Sequence, residues 1–133
     1  SKSTKGVLRG LHYQLNPYTQ AKLVRVIEGS VLDVAVDIRK SSPTFGHYVS
    51  KELSEQNKHQ LFIPQGFAHG FMALTDSATF VYKVDNYYAP AHERGVYFDD
   101  NQLNINWSLP YEILQISDKD RQLPCLDKIE QLF

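Results

Sequence analysis

Between Val7 and Phe98 turn residues cut the chain every eight to twelve positions, and the runs between the cuts alternate apolar with polar side chains and favour β-branched and aromatic types. No stretch before the tail sustains the i, i+3, i+4, i+7 spacing that a long amphipathic helix needs. The pattern restricts the chain to a mostly β fold. Strands are predicted over 7–14, 21–27, 30–38, 46–53, 60–63, 68–74, 78–87 and 95–98, with a short helix over 126–132. Glu28-Gly29-Ser30 and Thr75-Asp76-Ser77 read as tight hairpin connections, and Ser41-Ser42-Pro43 as a break. Eight short strands at this spacing suggest a β-sandwich or barrel.

A chain of 133 residues suits one domain, 1–133, burying roughly two thirds of its unfolded surface. The 14 basic and 15 acidic residues are dispersed, for a net charge of -1. This argues against nucleic acid or a membrane surface as a partner. The single cysteine, Cys125, excludes an intramolecular disulfide and a multi-cysteine metal site, and it suits a reducing compartment. No apolar run reaches the length of a membrane span, and SKSTKG lacks the apolar core of a signal peptide. The simplest expectation is a cytoplasmic location.

Alternation assigns faces, and faces decide which side chains can share a cavity. In GVLRGLHYQ, His12 sits inside an otherwise strand-like apolar run. An imidazole titrates at about 6.5, so a nearby carboxylate could hold it as a proton acceptor at neutral pH. Lys22 shares a face with Val24 and Val26, where an ammonium needs a route to water or an anionic partner. Tyr82 lies with Phe80 and Val84, which predicts a hydroxyl in buried, apolar company. On the strand over 30–38, Asp33, Ala35 and Asp37 face away from Leu32, Val34, Val36 and Ile38, and that acidic face is expected to be solvated.

In IPQGFAHGF, Pro64 ends one strand, Gly66 permits a tight turn, and His69 projects from the next. His69 by itself reads equally as a structural hydrogen-bonding histidine or as a substrate contact. Small barrels of the cupin kind carry this PxGxxH spacing, and many bind a metal through an HxH pair with further N and O ligands. Here the pair reads His12-Tyr13-Gln14 with no glutamate following. That argues against a metal site.

The strings GVLRGLHYQ, QAKLVRVIEGSVLDVAVDIRKSSPTFG, IPQGFAHGF, YKVDNYYAP, HERG and SDKD occur in this order. Together they resemble the dTDP-4-dehydrorhamnose 3,5-epimerase family over about residues 5–124. The resemblance implies an all-β, cupin-type jelly roll with a short C-terminal helical tail. It also implies a homodimer needing no metal or organic cofactor. The activity it implies is inversion of C3 and C5 of dTDP-4-dehydro-6-deoxyglucose beside the C4 ketone, in deoxysugar biosynthesis.

Such chemistry requires a base against the carbon acid, a donor for the enolate oxygen and an acid on the opposite face. By motif, the resemblance gives His12 the part of base and Asp120 that of its supporting carboxylate. Lys22 becomes the donor near the oxyanion, and Tyr82 the opposing acid. It further implies substrate contacts from Arg9, His69, Glu93 and Lys119, and an aromatic stack on the nucleotide base from Tyr87. An arginine fork suits diphosphate oxygens.

Members of the family start some tens of residues earlier, with an arginine-bearing segment that helps bind the nucleotide and supplies an edge strand. Residues 1–133 lie after that segment, as a fragment of a longer protein or as a shortened relative; a chain truly lacking it is expected to bind dTDP poorly and to leave a strand edge open. Three other functions fit parts of the pattern: a monoepimerase or related isomerase on the same scaffold, a non-catalytic sugar-nucleotide binding module, and, last, a metal-dependent oxygenase. A base with an opposed acid is more than binding alone requires.

Overall fold

The computed structural model describes all residues, 1–133. Ten strands form in chain order: β1 Lys2–Ser3, β2 Val7–Gln14, β3 Lys22–Glu28, β4 Ser30–Asp37, β5 Tyr48–Ser54, β6 Gln60–Ile63, β7 Phe67–Ala73, β8 Ala78–Val84, β9 Glu93–Gly95 and β10 Gln115–Ile116. One sheet has the order β1-β8-β3-β6, and the other has the order β10-β2-β7-β4-β5, with β9 also beside β2. Pairing is antiparallel except between β10 and β2. The result is an all-β jelly roll.

Both expected hairpins are instead corners between sheets. β3 belongs to the four-stranded sheet and β4 to the six-stranded one, and β7 and β8 are divided in the same way. Gly29, at φ +75°, turns the first corner, where a Cβ would collide with the Ser77 carbonyl. The corners brace each other, since Thr75 Oγ1 accepts from Ser30 N–H at 3.1 Å and donates to Ser77 O at 2.9 Å. Turn residues mark where the chain reverses, but the strand it then joins is chosen by which apolar faces must meet.

Two cores result. Val24, Val26, Ala35, Ile63, Phe71 and Phe80 fill the space between the sheets. Leu8, Leu11, Val34, Met72, Phe98 and Trp107 pack on the other face of the six-stranded sheet, with Leu126 from the tail. Each fully buried Leu or Phe contributes roughly 2 kcal/mol.

β4 is therefore covered on both faces, and all eight of its residues are buried. This overturns the expectation of a solvated acidic face. Asp33 and Asp37 are buried; one Asp33 oxygen is hydrogen-bonded and the other has no partner, whereas Asp37 is held by several donors. Asp37 accepts from Arg39 Nε at 2.9 Å, Ser42 Oγ at 2.6 Å and Thr44 Oγ1 at 2.5 Å. Burial raises its pKa, but those donors outweigh burial and hold it below the ordinary aspartate range.

The tail also differs from expectation. Only Leu126–Lys128 makes a short 3-10 turn, and the chain then runs extended, with Phe133 O accepting from Lys40 N–H at 2.7 Å and its ring 5.7 Å from that of Tyr13. Docking against the sheet outweighs local helical pattern. A helix that sequence spacing does not suggest forms instead at Asp118–Arg121. The strand expected over 95–98 pairs as Glu93–Gly95 against His12–Gln14. The strand begun at Ala78 ends at Val84, three residues short of the predicted end.

Candidate active site

The two sheets open at one end around a cavity of about 550 Å³. The four-stranded sheet contributes Lys22, Phe80, Tyr82 and Val84, while the six-stranded sheet contributes Arg9, His12, Gln14, His69 and Phe71. Glu93, Lys119 and Asp120 close one side. Eight of the nine expected site residues thus share one cavity, drawn from five strands and the short helix.

Arg9 and His12, three apart, would point to opposite faces of a regular strand. The register of β2 against β7 shifts between them, and both face the cavity. His12 then stands directly across from His69.

His12 Nε2 lies 2.7 Å from Asp120 Oδ1. A carboxylate only accepts, so Nε2 carries the proton and Nδ1, which has no protein partner, keeps a lone pair. Asp120 Oδ2 accepts from Gly10 N–H at 3.1 Å. Burial raises the Asp120 pKa, but the His12 and Gly10 hydrogen bonds prevail and hold it below its ordinary value. Ser117 Oγ accepts from Asp120 N–H at 3.2 Å, so a Ser-x-x-Asp helix start fixes this carboxylate.

Lys22 is largely enclosed. Burial lowers its pKa, and the Asp33 and Glu93 carboxylates work against that shift. Its Nζ is 3.4 Å from His69 Nδ1. At the rim, Lys119 Nζ meets Glu93 Oε1 at 2.6 Å, a bond that raises the Lys119 pKa. No three His, Cys, Asp or Glu side chains converge closely enough to hold a metal ion.

Two expectations need correction. Tyr82 is 57% exposed, not buried. β1 pairs with β8 only at Thr79 and Ala78, so the strand edge beyond Phe80 is uncovered and the Tyr82 ring stands at the cavity mouth. Tyr87 is 84% exposed and outside the cavity, whereas its neighbour Tyr88 lines it. Gln14 sets this choice: its amide nitrogen donates to Tyr18 O at 2.7 Å and Tyr87 O at 3.0 Å, and its oxygen accepts from Ala89 N–H at 2.9 Å.

Asp33, Gln14, Ser117 and Tyr88 were not expected at the site. For Ser117 the Ser-x-x-Asp pattern was a usable signal. A carboxylate inside the apolar run VLDVAVDI was one for Asp33. Neither Tyr of the YY pair is distinguished by sequence.

The family model described as dTDP-4-dehydrorhamnose 3,5-epimerase matches residues 1–128. A protein of that name from Shigella flexneri is 62% identical over 120 residues, which cover 90% of this chain and 65% of the relative. The chain thus spans about two thirds of such relatives. A solved epimerase structure from Legionella pneumophila, in complex with dTDP-4-keto-L-rhamnose, superposes with a TM-score of 0.94 at 52% identity, covering 98% of this chain and 68% of that one. A 3'-monoepimerase from Streptomyces bikiniensis, in complex with dTDP-quinovose, gives 0.88 at 38% identity, over 96% and 64%.

Proposed function

This chain belongs to the dTDP-4-dehydrorhamnose 3,5-epimerase family, and from that premise we propose that it inverts C3 and C5 of dTDP-4-dehydro-6-deoxy-D-glucose through enolate intermediates. The observation that carries the reading is the free Nδ1 of Asp120-bound His12 beside a cavity that Lys22 and Tyr82 enter from the facing sheet.

In this mechanism His12 Nδ1 takes the proton from the carbon next to the ketone, and the C–H electron pair moves into a C=C bond as the C4 oxygen becomes an enolate. The Lys22 ammonium stabilises that oxygen, as a pre-placed donor in an enclosed site does. Tyr82 returns a proton from the opposite face while the enolate collapses to the ketone, giving inversion. Solvent then resets the phenolate and imidazolium. Arg9 suits the diphosphate, Glu93 and Lys119 the sugar nucleotide at the rim, and Tyr88 takes the base-stacking part expected of Tyr87. We further propose a homodimer in the cytoplasm; no helix is long and apolar enough to cross a membrane.

The similarity to a 3'-monoepimerase favours a second reading, inversion at C3 alone. Incubation with dTDP-4-dehydro-6-deoxyglucose in heavy water separates the two. Deuterium at C3 and C5 by NMR is expected. Deuterium at C3 only selects the monoepimerase, and none at either carbon with substrate bound leaves a binding module.

A further inference from the structure

His69 lines the cavity, and beneath it lies a carboxylate that the mechanism above does not use. Asp33 is completely buried behind the cavity, with Oδ1 2.7 Å from His69 Nε2 and Oδ2 without a hydrogen-bond partner. Since the carboxylate only accepts, His69 Nε2 holds the proton. Burial lowers the His69 pKa, Asp33 opposes the shift and the Lys22 charge adds to it, leaving the value below the ordinary one, the direction that favours a neutral ring. Its Nδ1 therefore carries a lone pair, which faces Lys22 Nζ at 3.4 Å. An ammonium only donates, so the pair is matched. Both nitrogens of His69 are committed within the protein.

We propose that Asp33 and His69 are positioning residues that aim the Lys22 ammonium at the C4 oxygen of the substrate, an inference that rests on the epimerase reading of the cavity. A lysine ends a flexible four-carbon stem, and its charge can swing away from a developing oxyanion. An acceptor that captures one N–H leaves the other two directed into the cavity. The intervening imidazole also keeps Lys22 from pairing directly with Asp33, which would draw the charge below the cavity floor. The buried carboxylate still balances that charge, through one neutral ring. With no free nitrogen, His69 cannot remove a carbon-bound proton, so His12 serves both carbons.

The test has a ligand-free arm and a kinetic arm. In substrate-free protein, nitrogen-15 spectra assigned through a His69→Gln variant should show His69 as the neutral, Nε2-protonated tautomer at neutral pH. A cationic His69, or a proton on Nδ1, would overturn the proposal, because neither offers Lys22 a lone pair. In turnover, Asp33→Leu should lower kcat by about tenfold to a hundredfold, the scale of a misplaced catalytic group, while KM changes by less than about threefold. An unchanged kcat, or a loss confined to KM, would overturn it as well. Unaltered binding of dTDP shows that the variant is folded, and the wild-type spectra decide the matter if it is not. If the wild-type protein exchanges no deuterium, the proposed activity fails, whereas the tautomer of His69 still tests the relay.

Discussion

His12 and His69 are cross-strand neighbours, each 2.7 Å from an aspartate oxygen, yet their surroundings give them different chemistry. The His12 side chain is 28% exposed and keeps one nitrogen free, whereas His69 is 7% exposed and has both occupied. An imidazole backed by a carboxylate is thus not a base by virtue of that pair. What matters is whether its second nitrogen opens on the substrate or on another protein group.

The sharpest way to break the comparison is His12→Ala, which should slow deuterium exchange by a factor on the order of a hundred to ten thousand, as for a lost general base. Wild-type exchange in that variant would move the base elsewhere and remove the contrast with His69. Asp120→Ala keeps the imidazole but frees its orientation, and a fall of about a hundredfold in kcat is expected. A loss far below that would mean that Ser117 and Gly10 hold the local structure without the carboxylate. For Tyr82→Phe the ring stays and the acid is lost, so inverted product should fall by about tenfold or more while exchange by His12 continues. Equal losses in both would assign Tyr82 to binding. Tyr88→Ala should raise KM by about tenfold through lost base stacking, and Tyr87→Ala should leave it unchanged.

The smallest effect concerns stability in acid. Burial raises the Asp120 pKa and its hydrogen bonds lower it by more, so the folded value lies below the ordinary one. Its stabilising contribution is complete above the ordinary aspartate range and is lost as pH falls through the lower folded value. Thermal midpoints measured from neutrality down to about pH 3 should fall less steeply for Asp120→Asn than for the parent. An identical slope would show that the Asp120 pKa is the same folded and unfolded, so that its bonds to His12 and Gly10 do not favour the carboxylate.

Strand placement was largely legible because a half-buried strand writes its face into alternation: Val7–Gln14 and Gln60–Ile63 appear where expected. Motif order likewise pointed to His12, Lys22 and Asp120. Alternation alone misled at Tyr82, since a side chain on an apolar face can still stand at the mouth of the cavity. It misled again at Asp33 and Asp37, because a strand covered on one face and one covered on both can carry the same pattern.

The amino-acid order by itself determined the β class, the polar residues set into apolar strands and the family motifs. Only the tertiary structure decided that β4 is enclosed between two cores, that a register shift turns Arg9 and His12 to one side, and that Tyr88 rather than Tyr87 meets the cavity. The physical reason is range: alternation and turn chemistry act between near neighbours. Burial and the pairing of donors with acceptors depend on residues as far apart as His12 and Asp120, which meet only when both sheets and the tail have closed.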